Sequence, residues 1–542
     1  MKLTGAQILI KTLIDLGVTD VFGYPGGQVL SIYDEIKKAS RKINHILTAS
    51  EQGSAFSADG YARATGKVGV VIATSGPGAT NLVTGIANAM LDSVPILAIT
   101  GNVPSYMIGK DAFQEINITG ITMPITKHNF FVHNVEKLED TIKKAYKIAK
   151  TGRCGPVLID IPKDVQIAKC EYKGICEDVP FEQDKAEESD IEKAVRLIEK
   201  SKRPYIYIGG GAKACDMADI ICDFAEKTDG YIGASLMGLS VIPTNHNRFL
   251  GMQGMHGRLS SNEAKDTADL IIGIGVRFSD RATGDTEEYG KKIKIIQLDI
   301  DGAEIDKNVT VDVSILGNIK DALIEITKRV DKKNLPEWKK KIESFKKQEE
   351  KILPNGVTGG GISPKELIFA INKLKDEDTV IATDVGQHQM WTAQFAEFTK
   401  QRKLLTSGGL GAMGYGLGAA IGGYIGTKER VVLITGDGSF TMNLNELATA
   451  ITYKIPVTIV VVNNGVLGMV REWQTAFYNK RYSHTTLSQK TDFVKIAEGF
   501  GVKGRRVETI EEFENAFVDA KKCSVPFVID VKIDKDEMVG FY

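Results

Sequence analysis

Two short polar signatures in this 542-residue chain could carry chemistry. The first is Gly436–Asp437–Gly438–Ser439, followed beyond residues 439–462 by the pair Asn463–Asn464. Asp437 and Asn464 offer carboxylate and amide oxygens, the donors a hard cation takes. A Mg²⁺ held by so few protein ligands usually keeps a phosphate ligand as well. Gly436 and Gly438 let the backbone come close to a diphosphate. The second is Glu51, in Ser50–Glu51–Gln52–Gly53. Taken alone, each piece has a plainer reading. An acid at a helix start complements the helix dipole, an Asp between glycines caps a helix, and Asn-Asn is a turn. The combination and its spacing set them apart.

Local sequence supplies the elements that would position these residues. VVLIT (431–435) and VTIVVV (457–462) are short β-branched apolar runs, the pattern of buried parallel strands. Between them NLNELATAITYKI has apolar residues at helical spacing. The unit reads strand, Gly-rich turn, helix, strand, with Asp437 and Asn464 converging at the carboxyl edge of a parallel sheet, where such folds bind ligands. Glu51 follows the strand HILTAS and opens a helix.

The rest of the chain repeats this alternation. Strands at VTDVFGY, INHILTAS, VGVVIATS, VPILAITG and CGPVLIDIP, with Gly/Pro stops, make residues 1–171 a doubly wound α/β domain. A polar, acidic stretch at 172–190 reads as a linker. Strands at RPYIYIGGG, DLIIGIGVRF and KIIQLDID mark a second α/β domain over 190–330. Residues 331–352 read as a charged helix whose charges mark a solvated surface, and LPNGVTGGGISP as a loop. A third α/β domain occupies 361–542. Shared Gly-rich turns and strand spacing in the first and third domains suggest an internal duplication.

Composition excludes several classes. The apolar content of 43% and charged content of 25% are those of a globular protein. A net charge of −1 points to no nucleic-acid or membrane-surface partner. No apolar run reaches the length of a membrane span. The N-terminus MKLTGAQILIKTLIDLG reads as an amphipathic helix rather than a signal peptide, so the expected compartment is the cytoplasm. The six cysteines form no CxxC pair and are expected to be free thiols.

The GDG…NN arrangement resembles the cofactor motif of the thiamine-diphosphate-dependent decarboxylases and carboligases. Gly23–Gly27 (GYPGG), SEQGSAFSADGYAR and Ser75–Asn81 (SGPGATN) resemble that family's pyrimidine-binding domain. GKDAFQE, TKHNFFV, LMGL, GMHG, VRFSDRATG, LDIDGAEI, TDVGQHQMW, SGGLGAMGYG, LGMVREWQ and RYSHT narrow the resemblance to the acetolactate synthase large-subunit family, over nearly the whole chain. It implies three parallel-sheet α/β domains: pyrimidine-binding, central FAD-binding-like and diphosphate-binding. The implied activity is thiamine-dependent conversion of two pyruvates to 2-acetolactate and CO₂, with 2-oxobutyrate as alternative acceptor. Implied cofactors are thiamine diphosphate, Mg²⁺ and an FAD that takes no part in the net reaction.

Residue roles follow from the same resemblance. Glu51 would activate the cofactor through its aminopyrimidine ring, a task suited to a carboxyl in a dry pocket. Asp437, Asn464 and the Val466 carbonyl would bind Mg²⁺. Ser93, Gln387, His388, Gly411, Met413, Gly438, Ser439, Gly465, Leu467, Gly468 and Met469 would line the thiamine cofactor, with Met413 imposing its bent conformer. Gln114 and Phe113 would lie near the reacting carbons. Arg281 would bind the acceptor's carboxylate, which a guanidinium fork suits. Trp473 would shape the acceptor pocket and Lys163 would stand at the channel mouth. Arg153, Gly210, Gly211, Met255, His256, Gly257, Arg277, Asp280, Asp301 and Asp312 fall on FAD-contacting positions. A homodimer or homotetramer is implied, since in this family Glu51 of one chain faces Asp437 of another. Whether a small regulatory subunit binds stays open.

The chain also departs from the family pattern. Gln28 follows GYPGG where a small residue is usual, Ser50 stands where His is common, Asn102 replaces Gln, Ser279 replaces Asp and GLGAA lacks a Pro. The chain stops at MVGFY where the family continues with a tail over the active site. Gln28 and the tail bear on acceptor choice and water exclusion. Two other readings stand beside the first: a flavin-containing thiamine carboligase adding the same acetyl unit to a keto-sugar, and a silent cofactor-binding regulatory protein.

Overall fold

The structure, a computed structural model, describes residues 1–174, 185–291, 293–352, 361–487 and 490–540. Parts of the expected linker (175–184, with Cys176) and of the loop before the third domain (353–360), together with Phe541 and Tyr542, lie outside the described residues. The apolar runs form three six-stranded parallel sheets.

The first sheet comprises β1 (Asp20–Tyr24), β2 (Asn44–Leu47), β3 (Gly69–Ala73), β4 (Ile96–Asn102), β5 (His128–Phe131) and β6 (Val157–Pro162), in the order β2-β1-β3-β4-β6-β5. Its central strands β3, β4 and β6 are buried along their whole length. They sit between two apolar layers, which explains their lack of polar alternation. Helix α1 (Glu51–Thr65) starts behind Ser50, whose Oγ accepts from the Gly53 N–H at 3.0 Å. A short antiparallel pair, Lys2–Thr4 with Lys169–Glu171, closes the domain.

The second sheet comprises β7 (Pro204–Ile208), β8 (Tyr231–Ala234), β9 (Phe249–Met252), β10 (Leu270–Ile274), β11 (Lys294–Asp299) and β12 (Val313–Leu316), ordered β9-β8-β7-β10-β11-β12. In domain numbering this is 3-2-1-4-5-6, the order of dinucleotide-binding sheets, whose ligand crevice opens between strands 1 and 4. The charged helix α2 spans Pro336–Ile352. It begins five residues later than the sequence reading, at a proline that needs no N–H partner in a first turn. It is also less solvated than its charges imply. Trp338, Ile342 and Phe345 are buried on the second domain, and Trp338 Nε1 donates to the Pro204 carbonyl at 3.2 Å. Buried Glu349 pairs with Arg258 at 2.7 Å.

The third sheet comprises β13 (Val380–Thr383), β14 (Leu404–Leu405), β15 (Val431–Gly436), β16 (Val457–Asn463), β17 (Lys503–Val507) and β18 (Phe527–Lys532). Its order, β14-β13-β15-β16-β18-β17, repeats that of the first sheet strand for strand. The shared topology agrees with the suspected duplication. Helices α3 (Gln387–Phe395), α4 (Tyr415–Thr427), α5 (Asp437–Asn443) and α6 (Gly468–Phe477) surround the carboxyl edge. The single helix expected over NLNELATAITYKI is broken: α5 ends at Asn443, a 3₁₀ turn covers Leu444–Glu446, and a new helix runs Leu447–Thr452. The break turns the Glu446 side chain toward the first domain.

Helices α1 and α4 join the first and third domains. A Cβ on Gly60 would lie 2.2 Å from the Ala419 carbonyl oxygen, and one on Gly422 would lie 1.8 Å from that of Ser57, so only glycine permits this crossing. Beside it a buried network ties Arg63 to Asp59 (2.5 Å) and Asp92 (2.9 Å), while the Tyr415 hydroxyl donates to Asp59 at 2.7 Å. Each buried charge there has a partner, without which its burial would be costly. No helix among the described residues is long and apolar enough to cross a membrane.

Candidate active site

β15 and β16 run in register up to Gly436 opposite Val462, so Asp437 and Asn464 leave the sheet at the same edge. Asp437 is buried and accepts from the N–H groups of Gly438 (2.9 Å) and Gly465 (2.7 Å). Burial outweighs those two bonds and pushes its carboxyl up to about 6. A cation beside it would reverse that penalty. Asn464 Oδ1 accepts from the Val466 N–H at 3.1 Å, and its amide donates to Gln387 Oε1 at 3.3 Å. Val466 bridges Thr486, with the bridge bonds running through the Gly465 and Thr485 carbonyls rather than its own. Among the described residues no cluster of three or more His, Cys, Asp or Glu makes a metal cage. The side-chain oxygen donors on this turn are one carboxylate and one amide, Asp437 and Asn464.

Other expected residues gather around this turn. His388 is buried beside Gly436, its Nε2 has no partner among the described residues, and burial keeps the ring neutral by lowering its pKa to about 3. A buried nitrogen without a partner is costly unless a ligand meets it. Ser439 donates to the Val385 carbonyl at 3.0 Å. Gly438 lies against Leu467 and Met413, and Gly468 leaves room for the Gln387 amide, which a Cβ would meet at 1.9 Å. Gln387 donates to Glu472 (2.8 Å) and to the Glu537 carbonyl (2.9 Å).

The carboxyl edge of the first sheet carries a second group. Glu51 stands half-buried at the first turn of α1. Among the described residues its carboxylate takes one hydrogen bond, from Asn81 Nδ2 at 3.0 Å, within its own domain. Gln114, with φ +61°, packs on Gly76, which precedes the short helix Pro77–Asn81. Phe113 beside it is 83% exposed. Lys163 reaches the Gly27 carbonyl at 3.4 Å, and the Gln28 N–H donates to Thr74 Oγ1 at 3.2 Å. Glu51 and Asp437 thus belong to the edges of different sheets, and among the described residues no hydrogen bond or ion pair joins them.

A cavity of about 770 Å³ opens at the switch point of the second sheet. Gly209, Gly211 and Gly275 pack backbone on backbone there, and a Cβ on Gly211 would lie 2.7 Å from the Gly275 Cα. Of the residues expected to contact FAD, Arg153, Gly210, Gly211, Met255, His256, Arg277 and Asp280 line this cavity. Asp301 lies behind Arg153, which it pairs at 3.1 Å. Gly411 and Met469 line it from the third domain, and Arg281 with Trp473 from its rim. The Arg281 guanidinium stands 5.1 Å over the Trp473 ring, a cation–π distance, and Trp473 Nε1 is buried with no partner among the described residues.

Some of the expected residues stand apart from the groups assigned to them. Asp312 does not reach the cavity: it precedes β12 at the amino edge of the sheet, where it binds Lys294 (2.6 Å) and the Ile295 N–H (2.9 Å). Gly257 is not among the residues that line the cavity; it packs on the backbone of Met252 and Gln253, which do. Ser93 accepts from Arg153 Nε at 2.9 Å and, like Gly411 and Met469, lines the 770 Å³ cavity. Sequence reasoning also missed Glu446 and Glu472, both buried acids. Local sequence gives neither a signal that separates it from an ordinary acid on an amphipathic helix.

Three family models match the chain: the N-terminal, central and C-terminal domains of thiamine pyrophosphate enzymes, over residues 3–121, 191–326 and 384–531. The chain is 42% identical to a Haemophilus influenzae protein named acetolactate synthase large subunit, covering 99% of this chain and 96% of that protein. A Corynebacterium glutamicum protein of the same name is 43% identical over 99% of this chain and 88% of its own length. A Methanocaldococcus jannaschii protein, named probable acetolactate synthase large subunit, is 42% identical over 98% and 92% respectively.

Proposed function

The chain belongs to the acetolactate synthase large-subunit family of thiamine pyrophosphate enzymes, and we propose that it converts two pyruvates to 2-acetolactate and CO₂, with 2-oxobutyrate as alternative acceptor. The observation that carries the acceptor assignment is Arg281 held over Trp473 at the cavity rim. A guanidinium free of any buried carboxylate, beside an aromatic wall, suits a small 2-oxoacid better than an uncharged keto-sugar.

The residues present fit the cofactors. Thiamine diphosphate supplies a nucleophilic carbon and an electron sink for decarboxylating 2-oxoacids. Asp437, Asn464 and the Val466 carbonyl would hold its Mg²⁺, with Gly438, Ser439, Gly465, Leu467 and Gly468 framing the turn. The unpartnered His388 Nε2 supports a polar ligand at this edge. Gln387 and Met413 would flank it. Glu51 would move the activating proton, with Asn81 fixing its carboxylate. FAD fits the glycine-lined crevice of the second domain, among Gly210, Gly211, Arg277 and Asp280.

One chain leaves Glu51 and Asp437 apart, so the working unit is read as at least a dimer that joins the two edges. Exposed apolar side chains on the first and third domains, Tyr106 (70%), Phe113, Met123 (68%) and Met442 (59%), support this. The deciding experiment is product analysis from pyruvate alone and with 2-oxobutyrate. 2-Acetolactate and 2-aceto-2-hydroxybutyrate are expected; CO₂ release without either product would overturn the reading.

A further inference from the structure

Glu446 is a buried carboxylate that neither the cation-type turn nor the cavity uses. Its Oε2 accepts from the Ala49 N–H at 3.1 Å and from Thr449 Oγ1 at 2.6 Å. Its Oε1 accepts from the Ser50 N–H at 3.1 Å and from Ser50 Oγ at 3.2 Å. These donors include both backbone amides immediately before Glu51. Ser50 Oγ in turn caps α1 by accepting from Gly53 N–H. The approach is possible because residue 53 is glycine: a Cβ there would lie 1.9 Å from Glu446 Oε1.

We propose that Glu446 is a positioning residue for Glu51, reaching from the third domain to fix the backbone from which the Glu51 side chain leaves α1. Moving the 49–50 loop would strand a buried carboxylate and two amides, each costly to leave unpaired. Glu446 ends the same continuous segment that Asp437 begins, through α5 and its 3₁₀ turn. One stiff piece of chain therefore bears the cation-type turn at its start and grips the Glu51 loop at its end. In a two-chain site, the Asp437 turn of one site would be connected to the Glu51 of the other.

The inference rests on the reading of Glu51 as the proton-transfer group, so the test separates the two. In the full-length protein without cofactor, Glu446→Gln should speed deuterium uptake at the amides of Ala49 and Ser50 by about tenfold or more, with uptake across Asp437–Asn443 unchanged. With thiamine diphosphate and Mg²⁺ added, exchange of the cofactor's C2 proton should slow by about ten- to a hundredfold, the cost of a misplaced catalytic group, while cofactor affinity stays near that of the parent. Ser50→Ala removes only the hydroxyl and should give a milder loss in both readouts, which keeps the test informative if Glu446→Gln folds poorly. Unchanged amide protection, or lost protection with normal C2 exchange, overturns the positioning role if Glu51→Gln still slows that exchange. If Glu51→Gln leaves C2 exchange intact, the reading of Glu51 itself fails and the positioning role falls with it.

Discussion

Replacing Arg281 by alanine should change which product leaves the site rather than whether pyruvate loses CO₂. The Arg281 side chain is 63% exposed, with its Nε 3.7 Å from Asp280 and its guanidinium 5.1 Å over Trp473. Among the described residues its one ion-pair partner is the exposed Asp280, so its charge remains available to an acceptor's carboxylate. A charge-assisted pair of that kind contributes about 1.5–3 kcal/mol, a factor of about ten to 150 in how the acyl unit partitions. Solvent screening at so exposed a group favours the lower end, about tenfold. Arg281→Lys keeps the charge but loses the planar fork, and should fall between the parent and the alanine variant. The assay is the ratio of acetolactate to acetaldehyde at saturating pyruvate, with total CO₂ measured alongside. A ratio in Arg281→Ala equal to that of the parent would refute the reasoning, because the acceptor would then be held by other groups.

Glu51→Gln should still bind thiamine diphosphate while losing about two or more decades of turnover, as for a positioned proton-transfer group; near-normal turnover would remove Glu51 from that role. Gly422→Ala places a methyl 1.8 Å from the Ser57 carbonyl oxygen in the α1–α4 crossing, and should cost about 1–3 kcal/mol in denaturant unfolding. A loss within error would mean that this crossing is not close-packed. Asp160 is buried beneath Thr100 and Asn102, which donate to it at 2.7 and 2.6 Å, and burial pushes it up from 3.8 to about 6. A raised native value means that its contribution is intact below pH 3.8 and is lost as pH climbs through 6. The stability of the parent relative to Asp160→Asn should therefore decline between those values, by up to about 3 kcal/mol at 1.4 kcal/mol per tenfold change; a difference that is flat with pH would contradict it.

Much of the fold and part of the candidate site are legible in the sequence because both rest on local rules. Runs such as VVLIT and VTIVVV are apolar on both faces and stop at glycine or a polar turn, so they mark buried parallel strands without reference to the rest of the chain. A residue just after such a strand must lie at the carboxyl edge, which is why Asp437, Asn464 and Glu51 were readable there. Weakly patterned edge strands were not: β5 (HNFF), β12 (VSIL) and the two-residue β14 carry too little local signal and are defined by the neighbour they pair with.

What only the tertiary structure decided is which edges and side chains meet. Asp312 looks like Asp301 in sequence, yet one precedes its strand and the other follows its strand, so they stand at opposite ends of the sheet. Ser93 is grouped with the thiamine residues by resemblance, yet it accepts from Arg153 of its own domain, and the two line the cavity that the second domain shares. Arg281 and Trp473 lie in different domains and meet at one cavity rim. Glu446 reads as an ordinary acid in an amphipathic helix until the 3₁₀ break swings it onto the amides before Glu51. Strand and turn formation depend on residues a few positions apart, whereas these contacts join residues scores to hundreds of positions apart and are fixed by domain packing, which local patterning does not encode.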